Sequence, residues 1–86
     1  MYSIELKPSA RKALNKIADK QRKRLESAID KLQEDPKPHG SIKLSGNSDL
    51  YRIRVGKFRV IYSIENDVLV ITIVKVSDRK DAYKKK

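Results

Sequence analysis

Apolar and polar positions along this chain follow two rhythms, a helical period of about 3.6 residues in the first half and a strict alternation in the second. Tyr2 to Leu6 alternate and predict a short first strand. Pro8 then stands where a helix can open, because the first turn does not use its missing N–H. Ala10, Ala13, Leu14, Ile17 and Ala18 share one helical face, while Arg11, Lys12, Asn15 and Lys16 point elsewhere. Asp19 reads as the N-cap of a second helix whose apolar face is Leu25, Ala28, Ile29 and Leu32. Its outer face carries Lys20, Arg22, Lys23 and Arg24, and Asp35, Pro36, Pro38 and Gly40 stop it.

Ser45, Gly46, Asn47 and Ser48 read as a loop, after which the period becomes two. Leu50–Val55 and Phe58–Ile64 are predicted strands, joined at Gly56 and Lys57 by a tight hairpin of the type that places glycine first. A third strand, Val68 to Val76, follows a turn at Asn66 and Asp67, and its nearly unbroken apolar run predicts cover on both faces. From Ser77 the chain is polar. The fold class is therefore α+β, and residues 1–86 read as one domain. Its order is an N-terminal strand, two helices, a three-stranded antiparallel meander, and a short C-terminal helix or tail.

The hairpin fixes a register. With Gly56 and Lys57 as the loop, Val55 faces Phe58, Arg54 faces Arg59, Ile53 faces Val60 and Tyr51 faces Tyr62. Tyr51, Ile53, Val55, Phe58, Val60 and Tyr62 then share the core side, and Arg52, Arg54 and Arg59 share the other. Like charges directly opposed destabilise a sheet. Three guanidiniums on one small surface point to an anion seated among them, since arginine presents a planar fork of donors to phosphate oxygens. A solvated face whose arginines lie flat over apolar neighbours is the alternative. Arg79 and Tyr83 lie four residues apart, the spacing of one face of a helical turn, with Arg79 suited to a phosphate and Tyr83 to a base.

Charge supports an anionic partner. Lys and Arg total 21 against 11 Asp and Glu, a formal net charge of +10. Nucleic acid is the partner this favours, with an anionic membrane or an acidic protein as the other classes. Five aromatic residues are too few for a platform that stacks a long single strand. There is no cysteine, and the single histidine, His39, sits in a predicted turn without a neighbouring ligand, so neither a metal nor another cofactor is expected. Residues 1–6 lack the character of a secretory signal or membrane span, which makes the cytoplasm the expected compartment.

Over nearly its whole length the chain resembles the RelE toxins of toxin–antitoxin pairs, most strongly from Lys43 to Tyr83, in KLSGNSDLYRIRVGKFRVIY and in the ending VSDRKDAY. The element order is similar as well. The resemblance implies a ribosome-dependent endoribonuclease that cuts messenger RNA in the decoding site. In such an enzyme a 2′-hydroxyl attacks the adjacent phosphate, leaving a cyclic phosphate and a free 5′-hydroxyl. It implies that Arg52 and Arg54 contact the scissile region, with Arg54 at the position given the base role. Arg59 then stabilises the phosphate charge, Arg79 protonates the leaving oxygen, and Tyr83 orients or stacks the substrate. Lys20, Arg22, Lys23, Arg24 and Lys43 would meet ribosomal RNA, and a RelB-like antitoxin, acidic or amphipathic, would wrap the domain.

The sequence departs from the family at Arg52 and Arg54, where relatives often have lysine. An ideal base titrates near the working pH, and arginine titrates above about 12. Either Arg54 only polarises the hydroxyl, or the ribosome supplies part of the chemistry, or cleavage is slow. Two other functions share the resemblance. One is a ParE-like toxin that inhibits gyrase and cuts nothing; the other is a nucleic-acid binder without activity.

Overall fold

The chain enters its first helix at a proline. In the computed structural model, which describes residues 1–44 and 49–78, β1 (Ser3–Leu6) ends one residue before α1 (Pro8–Asn15), and Pro8 occupies the first turn as predicted. α2 (Asp19–Lys31) follows after a tight corner. Its N-cap is Ala18, not Asp19, and Ala18 is exposed instead of sharing the apolar face of α1. Asp19 instead lies in the first turn, where its carboxylate complements the helix dipole and accepts from Arg22 Nη2 at 2.5 Å.

Beyond α2 the chain turns at Pro38–Ser41, where the Ser41 N–H donates to the Pro38 carbonyl at 2.9 Å and Gly40 takes φ +93°. That left-handed φ at the third turn position is why glycine follows His39, which is exposed there. Next come β2 (Ile42–Lys43), β3 (Leu50–Val55), β4 (Phe58–Glu65) and β5 (Val70–Asp78). The predicted loop at Ser45, Gly46, Asn47 and Ser48 lies outside the described residues. Sequence periodicity missed β2, which is only two residues long. It also placed the last strand two residues early at each end, so that Ser77 belongs to β5 and not to a tail.

The strands form one sheet in the order β1-β5-β4-β3-β2. β2 to β5 are an antiparallel meander, and β1, whose partner the sequence left unassigned, pairs with β5 in parallel, which makes the sheet mixed. The helices carry the chain from β1 to the far edge of the sheet. Three reversals then bring it back, so β5 arrives beside β1 running the same way.

One face is closed by the helices. Ala10, Leu14, Leu25, Ile29 and Leu32 pack on Ile53, Phe58, Val60, Tyr62, Ile64, Ile71, Ile73 and Val76, all buried. Tyr62 is the largest fully buried side chain, and its hydroxyl donates to the Pro36 carbonyl at 2.7 Å. Burial pushes that phenol up to about 12, against a smaller lowering from its hydrogen bond with Ser41. The other face is half-exposed: Val70, Thr72 and Val74 are intermediate and Lys75 is exposed. β5 is thus covered by helices on one face only among the described residues, and its apolar run does not mark a strand buried on both sides.

Candidate functional site

The hairpin places the arginines. Gly56 has φ +61°, and Lys57 is not among the positive-φ residues, as expected for a turn with glycine first. The register is the predicted one throughout: Val55 with Phe58, Arg54 with Arg59, Ile53 with Val60 and Tyr51 with Tyr62. The closing pair of a two-residue loop exchanges both backbone hydrogen bonds, and bonded pairs recur at every second position. The bond from the Ile64 N–H to the Asp49 carbonyl, 3.3 Å, keeps that phase. Arg54 and Arg59 therefore occupy a non-hydrogen-bonded pair, where Cα atoms approach to about 4.5 Å and side chains are closest.

Arg52, Arg54 and Arg59 stand together on the face away from the helices. Two rows cross the strands there. The row nearer the hairpin runs Arg54, Arg59, Ser77, and the next runs Ile42, Arg52, Ile61, Lys75. Neither row contains an acidic residue. Successive rows lie about 6.8 Å apart, twice the rise of an extended residue, which brings all four cations within reach of one phosphodiester step. Among the described residues the acidic side chains of this face are Glu5 and Glu65, toward the opposite end of the sheet, so the described surface runs from cationic at the β3–β4 hairpin to acidic at the far end. Arg52 is half-buried, and its Nε has no hydrogen-bond partner among the described residues. Guanidiniums held this way can grip an anionic backbone and stabilise charge that builds on a phosphate.

The helix cations divide. Lys20, Lys23 and Arg24 are exposed on α2. Arg24 reaches the hairpin, since a Cβ added at Gly56 would lie 3.5 Å from its Nη1. Lys57 sits at the same tip, paired with Asp78 at 3.7 Å. The positive surface thus continues from α2 past the turn to the arginine rows. Arg22 does not belong to it in the same way, because one nitrogen is on Asp19 and the other donates to the Ile17 carbonyl at 3.2 Å, which ties the α1–α2 corner together. Lys43 pairs in register with Tyr51 and so stands on the helix side of the sheet, away from the arginines. Arg79 and Tyr83 lie outside the described residues.

Sequence reasoning missed Ile42, Ile61 and Lys75, which complete the second row. The signal for Lys75 was a lone charge in an apolar run, but its face could not be read from alternation, because a bulge resets β5. Among the described residues no group of His, Asp and Glu converges as a metal site, and no helix is long and apolar enough to cross a membrane. Two surface depressions, one along α2 at Glu26, Asp30 and Glu34 and one at Asp49, Glu65 and Asp67, carry acidic side chains and are poor seats for a polyanion. Among the described residues, no helix or strand covers the arginine face of the sheet.

Comparison with known proteins agrees with this architecture. A family model for the ParE toxin of the type II toxin–antitoxin system parDE matches residues 4–83. The candidate toxin RelE1 of Methanocaldococcus jannaschii is 33% identical over 96% of this chain and 96% of its own. Among solved structures, the archaeal RelE–RelB complex of Pyrococcus horikoshii OT3 contains a chain with TM-score 0.81 and 35% identity, the match covering 91% of this chain and 94% of that one. The isolated Escherichia coli RelE toxin has TM-score 0.81 at 22% identity, with 91% and 84% covered, a likeness of fold. With sequence and fold in agreement over nearly the whole length, the chain belongs to the RelE/ParE family as a RelE-type toxin of a type II toxin–antitoxin system.

Proposed function

We propose that this toxin is a ribosome-dependent endoribonuclease that cuts messenger RNA by attack of a 2′-hydroxyl on the adjacent phosphate. The observation that carries the reading is the convergence of Arg52, Arg54 and Arg59 on the open sheet face, with Arg54 and Arg59 directly opposed and no acidic residue in either row. Like charges so placed repel each other, and an anion seated between the guanidiniums is attracted to both. Arg59 and Arg52 stabilise the charge that grows on the phosphate toward the transition state, and Arg54 polarises the attacking hydroxyl. Arg79 and Tyr83 enter through family position, Arg79 on the leaving-oxygen side and Tyr83 stacking on a base. The rows hold no histidine and no carboxylate, which fits an enzyme whose substrate is held and bent by the ribosome.

The exposed cations Lys20, Lys23 and Arg24 face ribosomal RNA in this reading, with contacts that weaken steeply as salt rises. The partner that silences the toxin is a RelB-like antitoxin, acidic or amphipathic, that screens the arginine face. A net charge of +10 favours such a partner electrostatically. The compartment is the cytoplasm, where ribosomes and messages are.

The name of the matching family model favours a second reading, a ParE-like protein that inhibits gyrase. Induction in cells followed by mapping of message 5′ ends separates the two. The nuclease reading expects cuts inside reading frames in step with codons, lost in Arg59→Ala while the fold persists. Intact messages together with stalled gyrase would replace it with the second.

A further inference from the structure

Arginines hold a phosphate well but release a proton poorly, and this applies to Arg79, which family position puts on the leaving-oxygen side, as much as to the trio: the oxygen that departs needs a better proton donor. β5 contains a residue suited to that step. Ile71 and Ile73 are in the core, and strict alternation would turn Lys75 and Ser77 to the core as well, with Val76 outside. The opposite is found. Pairing shifts by one residue between Ile61 and Tyr62, which face Lys75 and Ile73, and Val74 is the extra residue. This bulge buries Val76 to 5% exposure and turns Lys75 and Ser77 out beside the arginines. Bulges commonly re-aim a side chain next to an active site.

We propose that Lys75 is a catalytic residue, the acid that protonates the leaving 5′-oxygen; this rests on the nuclease reading above. Lys75 is the lysine of the two rows, is exposed, and makes no ion pair with a described residue. It stands diagonal to Arg59, a placement that separates Cβ atoms by about 7–8 Å and remains within reach of long side chains. In line with Arg52 it lies two strands away, roughly 9.5 Å, with Ile61 between them. A phosphate held by Arg54 and Arg59 therefore has the Lys75 ammonium at its side.

In the reaction the bond from the 2′-oxygen to phosphorus forms and the bond from phosphorus to the 5′-oxygen breaks. The ammonium proton passes to the 5′-oxygen, and the 2′-hydroxyl proton leaves to water. The products are a cyclic phosphate and a 5′-hydroxyl. Lysine is the better donor because an ammonium gives up its proton roughly two pK units more readily than a guanidinium.

The test uses ribosomes programmed with a short message carrying either the natural oxygen or a bridging sulfur at the scissile 5′ position, cleaved by the full-length protein in single turnover. A thiolate leaves without a proton. Lys75→Met is expected to slow the oxygen message by about 100-fold and to change the sulfur message by less than about 3-fold, the signature of a lost general acid. Lys75→Arg, which keeps the charge, should bind as the wild type does and cut the oxygen message at an intermediate rate. Equal slowing on both messages, or a wild-type rate for Lys75→Arg, would show that Lys75 supplies charge alone and overturn the proposal. A wild-type protein that cuts neither message would instead overturn the nuclease reading and take the role of Lys75 with it.

Discussion

The two faces of this sheet are built from the same strands and obey opposite rules. On the helix side, Ile53, Val60, Tyr62, Ile71 and Ile73 are buried, and the tyrosine hydroxyl has a carbonyl partner. On the other side, Arg54 and Arg59 stand opposed in the closest kind of cross-strand pair, where like charges repel. One face is built for the folded state alone, the other, in the proposed reading, for a state with an anion bound. Alternation lets a single strand serve both, so substitutions one residue apart should separate stability from activity.

The largest effect belongs to the closed face. Tyr62→Ala removes the biggest fully buried side chain and should lower unfolding free energy by about 3–5 kcal/mol, read from denaturant midpoints, enough to unfold a domain this small. On the open face Arg59→Ala should reduce cleavage by roughly 100- to 1,000-fold in single turnover, with a melting temperature near that of the wild type. If the first variant stays folded or the second unfolds, the division between the faces is wrong.

A pH titration sharpens the same contrast. The folded-state pKa of Tyr62 lies above the unfolded value of 10.0, at about 12, so the folded protein holds this proton more tightly. The contribution is fully present below pH 10 and is lost as pH rises toward 12. Against Tyr62→Phe, the wild type should lose on the order of 2–3 kcal/mol across that interval, measured as the difference between their unfolding curves. No difference between the two curves would mean that the phenol is not sealed by its surroundings.

Smaller effects probe the cost of the arginine pair. Arg54→Glu turns a repulsive cross-strand pair into an attractive one and should raise stability by about 0.2–1 kcal/mol while abolishing cleavage. A loss of stability would show that the pair is not strained in the free protein. At the turn between β4 and β5, Leu69 holds φ +56°, a conformation L side chains rarely adopt. Leu69→Gly relieves it at the expense of chain entropy and should stabilise by roughly 0.5 kcal/mol, with activity unchanged.

Much of this was legible in the sequence because it is local. A two-residue loop with glycine first fixes the pairing of its strands, so the trio at Arg52, Arg54 and Arg59 followed from Gly56 and Lys57 alone. Pro8 marked the first helix for the same reason. What escaped depends on distant parts of the chain. The parallel pairing of β1 with β5 joins Ser3 to Val70 and has no local sign, and β2 is too short for any period. Asp19 has the right chemistry for a cap, but the corner after α1 starts α2 one residue earlier in phase, and the carboxylate meets Arg22 instead. Lys43 looked like a binding cation by charge, yet its pairing with Tyr51 assigns it to the helix side.

The extra residue in β5 also governs how this chain is aligned with others. A relative whose last strand lacks it would line up without a gap through Ile73 and then run one place out of step. Basic residues in the VSDRKDAY ending would be matched to the wrong neighbours while the percentage identity hardly moved. Insertion or deletion at Val74, more than any substitution, is therefore the evolutionary step that exchanges the inside and outside of the strand's end.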